Sequence, residues 1–249
     1  MSTLRICTYN IHKGFSQFNR RLAIHDLRER LRLLGADVVF LQEVQGMHLR
    51  HAQRHTDWPG QPQHEFLASE MWQQTAYGSN AIYDQGHHGN AILSHHPILT
   101  QANQDVSDHR FESRGLLHCE IRIADVDRPV HCVCVHLGLT AGSRRRQMAA
   151  LVKRMDELAP DGAPLIIAGD FNDWRNHADD CLVEQLGVRE VFTTFRGRPA
   201  RSFPSTLPVL RLDRIYVRGF TVDKAEVHFG TPWSRISDHA PLTAQLRAL

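Results

Sequence analysis

The stretch Pro164-Leu165-Ile166-Ile167-Ala168-Gly169-Asp170-Phe171-Asn172-Asp173-Trp174 decides the fold. Its first half is a short run of branched and small apolar residues, the pattern of a strand buried on both faces. The run then stops in a glycine, two carboxylates and an amide. Asp and Asn commonly end strands because they satisfy the backbone of turns, so this stretch alone says little. Its meaning comes from how the other strands end.

Leu4 to Tyr9 alternates as a strand does and stops at Asn10, and Asp37-Val38-Val39-Phe40-Leu41 stops at Gln42-Glu43. Residues 115–123 and 130–136 form a hairpin pattern whose second strand ends in His136. Ser237-Asp238-His239 immediately precedes a last strand from Leu242 to Leu246. Asp213 sits in the otherwise apolar Leu212-Asp213-Arg214-Ile215, where a carboxylate needs a partner to offset its desolvation. Asn90 to Ser94, Leu212 to Val217 and Glu226 to Phe229 read as further strands, and residues 45–80 as loop plus a short helix. Leu27, Leu31 and Leu34 mark a helix stopped by Gly35, and Met148, Leu151, Val152, Met155 and Leu158 mark another, with Ser143 as its N-cap. No linker, repeat or low-complexity tract divides the chain, which predicts one α/β domain over residues 1–249.

Composition narrows the class. The 249 residues carry 42% hydrophobic and 22% charged side chains, ordinary for a globular protein with a deep core. A net charge of +2 is too weakly basic for a nucleic-acid coat but leaves room for a local phosphate patch. Five cysteines, an odd set without a CxxC pair, read as core thiols. Met1-Ser2-Thr3-Leu4 runs straight into a strand, and no apolar run approaches the ~20 residues that span a bilayer. The expectation is a cytoplasmic protein with no transmembrane segment and no obligate protein partner.

Together the polar strand ends supply what metal-assisted hydrolysis of a phosphate ester requires. Such a site must neutralise an anion and hold a water in line with the leaving oxygen. Carboxylate and amide oxygens suit Mg²⁺, a hard cation, with Mn²⁺ as a substitute. An amide and imidazoles can donate to the phosphoryl oxygens, and an acid such as Asp213 can fix the tautomer of His239. No GxSxG stretch provides a serine-hydrolase elbow.

In this order, Thr8-Tyr9-Asn10, Leu41-Gln42-Glu43-Val44, Gly89-Asn90-Ala91-Ile92-Leu93-Ser94, Val135-His136-Leu137, Gly169-Asp170-Phe171-Asn172, Leu212-Asp213-Arg214-Ile215 and Ser237-Asp238-His239 resemble the endonuclease/exonuclease/phosphatase superfamily. Its members include deoxyribonucleases, abasic-site endonucleases, sphingomyelinases and inositol polyphosphate phosphatases. The resemblance implies a four-layer α/β/β/α sandwich of two packed, mostly antiparallel sheets with outer helices. It implies Glu43 as the main Mg²⁺ ligand, assisted by Asn10 and Asp238, and Asp170 as the group that positions or activates water. Asn172 and His136 would stabilise the phosphoryl oxygens, and His239, oriented by Asp213, would be the remaining base or donor. Asn10-Ile11-His12-Lys13-Gly14-Phe15 and Gly169-Asp170-Phe171-Asn172-Asp173-Trp174 resemble uncharacterised bacterial members most. Abasic-site endonucleases and the tyrosyl-DNA phosphodiesterases of the superfamily carry aspartate where this chain has His12, and abasic enzymes carry tyrosine where it has His136, which disfavours specialised abasic repair.

Four further residues are substrate-binding candidates. Arg114 and Arg144 could fork onto phosphate oxygens, Trp174 could stack on a base or sugar, and Asn90 would support the site by hydrogen bonds. His87 and His88 read as exposed imidazoles of a flexible loop. The leading expectation is a Mg²⁺-dependent phosphodiesterase or nuclease acting on a phosphate-ester substrate, nucleic acid included. A hydrolase of phospholipid headgroups or small phosphorylated molecules is the alternative, and a catalytically silent phosphate-binding or protein-binding module is the contrast in class.

Overall fold

A computed structural model describes residues 3–109 and 112–249. The chain opens with β1 (Thr3–Asn10), α1 (Ile24–Leu34) and β2 (Val38–His48). Then come α2 (Leu49–Arg54), α3 (Gln63–Ala68), β3 (Gln74–Tyr83), β4 (Gly86–Ser94), β5 (Ile98–Asp105) and β6 (Gly115–Ile121). The second half runs β7 (Val130–His136), α4 (Ala141–Leu158), β8 (Leu165–Asp170), α5 (His177–Leu186), β9 (Arg189–Glu190) and α6 (Val191–Arg196). It closes with β10 (Asp213–Arg218), β11 (Phe220–Val227) and β12 (Leu242–Ala248).

These strands form two six-stranded sheets, ordered β11-β12-β1-β2-β4-β3 and β5-β6-β7-β8-β10-β9. Each sheet has one parallel pair at its centre, β1 with β2 and β7 with β8. The neighbouring pairs are antiparallel. A helix makes each parallel crossover, α1 in the first sheet and α4 in the second, as parallel strands require. The two halves therefore repeat one motif, β1–α1–β2 and β7–α4–β8.

Three apolar clusters separate four layers. The middle one packs Ile6, Phe40 and Ile92 of the first sheet against Cys134, Ile166 and Ile215 of the second. An outer cluster sets Leu27 and Leu31 of α1 and Leu67 of α3 on Val39 and Leu41. The other sets Leu151 and Met155 of α4 and Leu182 of α5 on Val133 and Ile167. Strands whose alternate residues enter two cores must be apolar on both faces, which explains the unbroken runs at 37–41 and 164–168. The expected α/β/β/α sandwich is what the chain forms.

The structure departs from the sequence expectation in several places. Residues 45–80 contain the end of β2, two short helices and most of β3, not loop plus one helix. Strand β5 is largely exposed along its length and so lacks an apolar signature. The strand expected at Glu226 to Phe229 is β11, which begins at Phe220 and ends at Val227, short of Phe229. The N-cap of α4 is Thr140, whose Oγ1 accepts from the Ser143 backbone N–H at 3.1 Å, while Ser143 lies buried in the first turn. His87 and His88 lie in β4, half-buried rather than in an exposed loop. The expected core thiols are Cys7, Cys119, Cys132 and Cys134, all free and buried, and Cys181 is half-buried. Among the described residues no helix is long and apolar enough to cross a membrane.

Candidate active site

Strand register assembles the site. In the second sheet His136 pairs with Asp170 across the parallel ladder, and Asp213 pairs with Asp170 across the antiparallel one. In the first sheet Asn10 pairs with Gln42, one residue before Glu43. The Asn10 Nδ2 then donates to Asp170 Oδ2 at 3.1 Å, joining the two sheets at one rim.

Backbone geometry at the rim is specific. Leu41 faces Ala91 and Val44 faces Gly89, so Gln42 and Glu43 together oppose Asn90, a β-bulge. Glu43 takes a φ of 57°, a left-handed conformation uncommon for glutamate. The bulge lets Gln42 point inward, where its Nε2 donates to Thr8 Oγ1 at 3.3 Å, while Glu43 stays half-buried at the rim. Gly169 is obligatory because a Cβ there would lie 1.9 Å from the Val135 carbonyl oxygen.

Asp170 is the hub. Its Oδ1 accepts from the Asn172 backbone N–H at 2.9 Å. Its Oδ2 faces Asn10, with His136 Nε2 at 3.6 Å and His239 Nε2 at 3.8 Å. Burial raises the Asp170 carboxyl to about 7 against the opposing pull of the His239 charge. His239 Nδ1 lies 2.8 Å from Asp213 Oδ2, with both residues buried. Burial disfavours the His239 imidazolium, but the Asp213 and Asp170 carboxylates override it and lift the group to about 10. His136 moves the other way: burial, then the Arg114 and His239 cations, hold it well below the usual histidine range. The two imidazoles beside Asp170 are thus driven in opposite directions, His136 toward the neutral form and His239 toward the protonated one.

Supporting contacts fix these groups. Ser237 Oγ donates to the Asn10 carbonyl at 2.8 Å, and Ser205 Oγ to the Ser237 carbonyl at 2.6 Å. The Phe203 ring meets His239 edge-on at 5.2 Å. Ser202 Oγ accepts from the Asp213 backbone N–H at 3.2 Å; sequence reasoning passed over Ser202 and Ser205 as site supports, because serine in a loop carries no distinguishing pattern. The paired carboxylates of the opening stretch separate: Asp173 is fully buried, and its Oδ2 accepts from the Ala178 backbone N–H at 2.7 Å, anchoring the start of α5.

The substrate-binding candidates fall in distinct settings. Arg114 donates through Nε to the Leu137 carbonyl at 3.0 Å, with its charge acting on His136. Asn90 is buried and its Nδ2 reaches the Gly115 and Cys134 carbonyls at 3.0 and 3.3 Å, tying the first sheet to the second. Arg144 is also buried, donates to the Leu139 carbonyl at 2.6 Å and lies 4.9 Å over the Trp174 ring. Trp174 itself is 42% exposed. Arg146 is paired with Asp108.

Donor chemistry at the rim fits a hard divalent ion. Glu43 has no hydrogen bond or ion pair among the described residues, and Asp238 is half-buried in the loop that carries His239. Asp170, Asp213 and His239 also bring ligand atoms within 4.8 Å of one another. That set is the poorer candidate, because the Asp213–His239 hydrogen bond needs a proton where the ion would sit.

Residues 7–239 match the model of the Endonuclease/Exonuclease/phosphatase family, and the chain belongs to that family. With the acid, amide and imidazole set assembled at one rim, it is a phosphoric ester hydrolase. It is 47% identical over 244 residues to the uncharacterized protein YbhP of Escherichia coli (strain K12), covering 98% of this chain and 96% of the relative. Among solved structures it resembles D. rerio TDP2 complexed with single strand DNA product, with a TM-score of 0.71, 19% identity and full coverage of both chains. A mannosyl-6-phosphatase of Bacteroides thetaiotaomicron VPI-5482 has the same TM-score of 0.71 at 16% identity, over 98% of this chain and 99% of that one. These two likenesses establish shared fold.

Proposed function

We propose that the protein is a Mg²⁺-dependent phosphodiesterase that cleaves a P–O bond by in-line attack of water, with no covalent enzyme intermediate. The observation that carries this reading is the convergence on Asp170 Oδ2 of Asn10, His136 and His239. Asp170 is the group that orients the water and takes its proton, helped by a burial that favours the protonated carboxyl. His239, held protonated by Asp213, donates to a phosphoryl oxygen as charge builds there. Asn172 Nδ2 gives one hydrogen to the Leu137 carbonyl at 3.0 Å and keeps its second for the substrate. His136, kept neutral, donates from Nε2 beside it. Glu43, with Asn10 and Asp238, would hold the Mg²⁺. The chemistry that ion supplies when bound is neutralisation of the phosphoryl charge.

Nucleic acid is the leading substrate class, supported by the TDP2 relative solved with single strand DNA product. The test is a panel of plasmid DNA, RNA, nucleotides, inositol phosphates and phospholipids, assayed with Mg²⁺ beside bis(p-nitrophenyl) phosphate. Turnover that survives exhaustive chelation removes the metal; turnover confined to phosphomonoesters removes the diesterase.

A further inference from the structure

Next to the catalytic rim lies a basin of about 430 Å³ that none of the roles above uses. Lys13, Arg54, His48, His51 and His88 line it together with the Phe15 and Tyr83 rings. No carboxylate lines it among the described residues. Neither Lys13 nor Arg54 forms an ion pair among the described residues, whereas exposed arginines elsewhere, such as Arg21 and Arg247, pair with aspartates.

The basin is built. Lys13 has a φ of 58° and follows His12 at 46°, a left-handed run that non-glycine residues seldom adopt. Buried Gln63 holds that run in place: its Nε2 donates to the Lys13 carbonyl at 2.9 Å, and its Oε1 accepts from the Gln45 backbone N–H at 2.9 Å. On the opposite wall Trp58 stacks on His51 with ring centroids 5.2 Å apart, and His48 lies 3.7 Å from His51. His51 Nδ1 and His88 Nδ1 are buried without a hydrogen-bond partner. The basin adjoins the reacting centre through the chain itself: Lys13 follows Asn10 by three residues, and Gln45, two residues after Glu43, pairs with His88.

We propose that this basin binds a second anionic group of the substrate, a phosphate separate from the one being cleaved. Two cations free of ion pairs, set among half-buried imidazoles with no carboxylate in the lining, are the chemistry that recognises phosphate oxygens. The favoured substrates are then phosphate esters with at least two phosphate groups, whether successive phosphates of a nucleotide chain or those of a polyol. This rests on the catalytic reading for the position of the scissile phosphate only.

Equilibrium binding tests it separately from turnover. Full-length protein carrying Asp170→Asn, with Mg²⁺ present, is titrated with thymidine 3′,5′-bisphosphate against thymidine 3′-phosphate, and with inositol 1,4-bisphosphate against inositol 1-phosphate. The bisphosphate should bind at least about tenfold tighter in one or both arms, a difference that salt diminishes. Lys13→Gln, and Arg54→Gln combined with His51→Gln, should each reduce that advantage to about threefold or less. Equal binding of bisphosphate and monophosphate in both arms overturns the proposal. So does an advantage that survives both sets of substitutions and high salt. Failure of the catalytic reading would show instead as absent turnover of bis(p-nitrophenyl) phosphate.

Discussion

Asp213 Oδ2 and His239 Nδ1 are 2.8 Å apart although β10 and the strand that follows His239, β12, belong to different sheets. Asp213 Oδ1 is left without a partner and is buried, so the carboxylate is committed to one imidazole. Asp213→Ala removes both the charge that keeps His239 protonated and the contact that orients its ring. Turnover of bis(p-nitrophenyl) phosphate should fall by about 100-fold or more, the usual size of a lost acid–base group. Near-normal kcat in this variant removes the role given to the pair.

Asp170→Asn should lower turnover by a similar factor and lower the thermal midpoint at pH 8. Both carboxylate oxygens accept N–H donors, from the Asn172 backbone and from Asn10 Nδ2, so an amide nitrogen in either place leaves two donors facing each other in a buried site. A midpoint equal to or above that of the wild type contradicts this account of the hub.

Gly169→Ala tests strand packing together with a backbone φ of 153° that side-chain-bearing residues rarely adopt. Its methyl group would lie 1.9 Å from the Val135 carbonyl oxygen, so β7 and β8 must separate. A loss of about 3 kcal/mol in urea unfolding is expected. A variant of wild-type stability would show that the two strands accommodate the methyl group.

Glu43→Gln should weaken divalent-ion binding, measured by calorimetry, by at least about tenfold, since a charged hard ligand is replaced by a neutral one. EDTA should abolish wild-type turnover, with Mg²⁺ or Mn²⁺ restoring it. Unchanged ion affinity in the variant would move the ion away from the β2 bulge.

Acid should destabilise the fold through a pair remote from the site. His118 Nε2 and His131 Nδ1 lie 3.0 Å apart in the second sheet, both buried. Burial, then the neighbouring His131, lowers His118 to about 4. The unfolded chain therefore binds more protons than the fold between about 6.5 and 4. Stability from this group is complete above that window and is lost as pH falls through it. The thermal midpoint should drop from pH 7 to pH 4.5, and less steeply in His118→Gln; parallel curves would exclude the pair.

The polar residues at strand ends were legible because they interrupt apolar runs, and no packing reason explains Asp213 inside one. The four layers were legible only through family resemblance, since the unbroken run at 164–168 shows burial on both faces without saying what covers them. The β2 bulge left no trace: Gln42 and Glu43 look like consecutive strand residues until the register with Asn90 is known. Strand β5 escaped because an exposed edge strand needs no apolar alternation. The basin of Lys13 and His51 was equally hidden, as it joins a turn after β1 to a helix after β2.

The Asn10–Asp170 contact has one more consequence. Because it crosses from one sheet to the other, neither sheet owns the full set of polar groups gathered at the rim, and a small slip of one layer over its neighbour would pull the amide from the acid before any strand came apart. On heating, turnover should therefore fade while the circular dichroism of the strands is still intact.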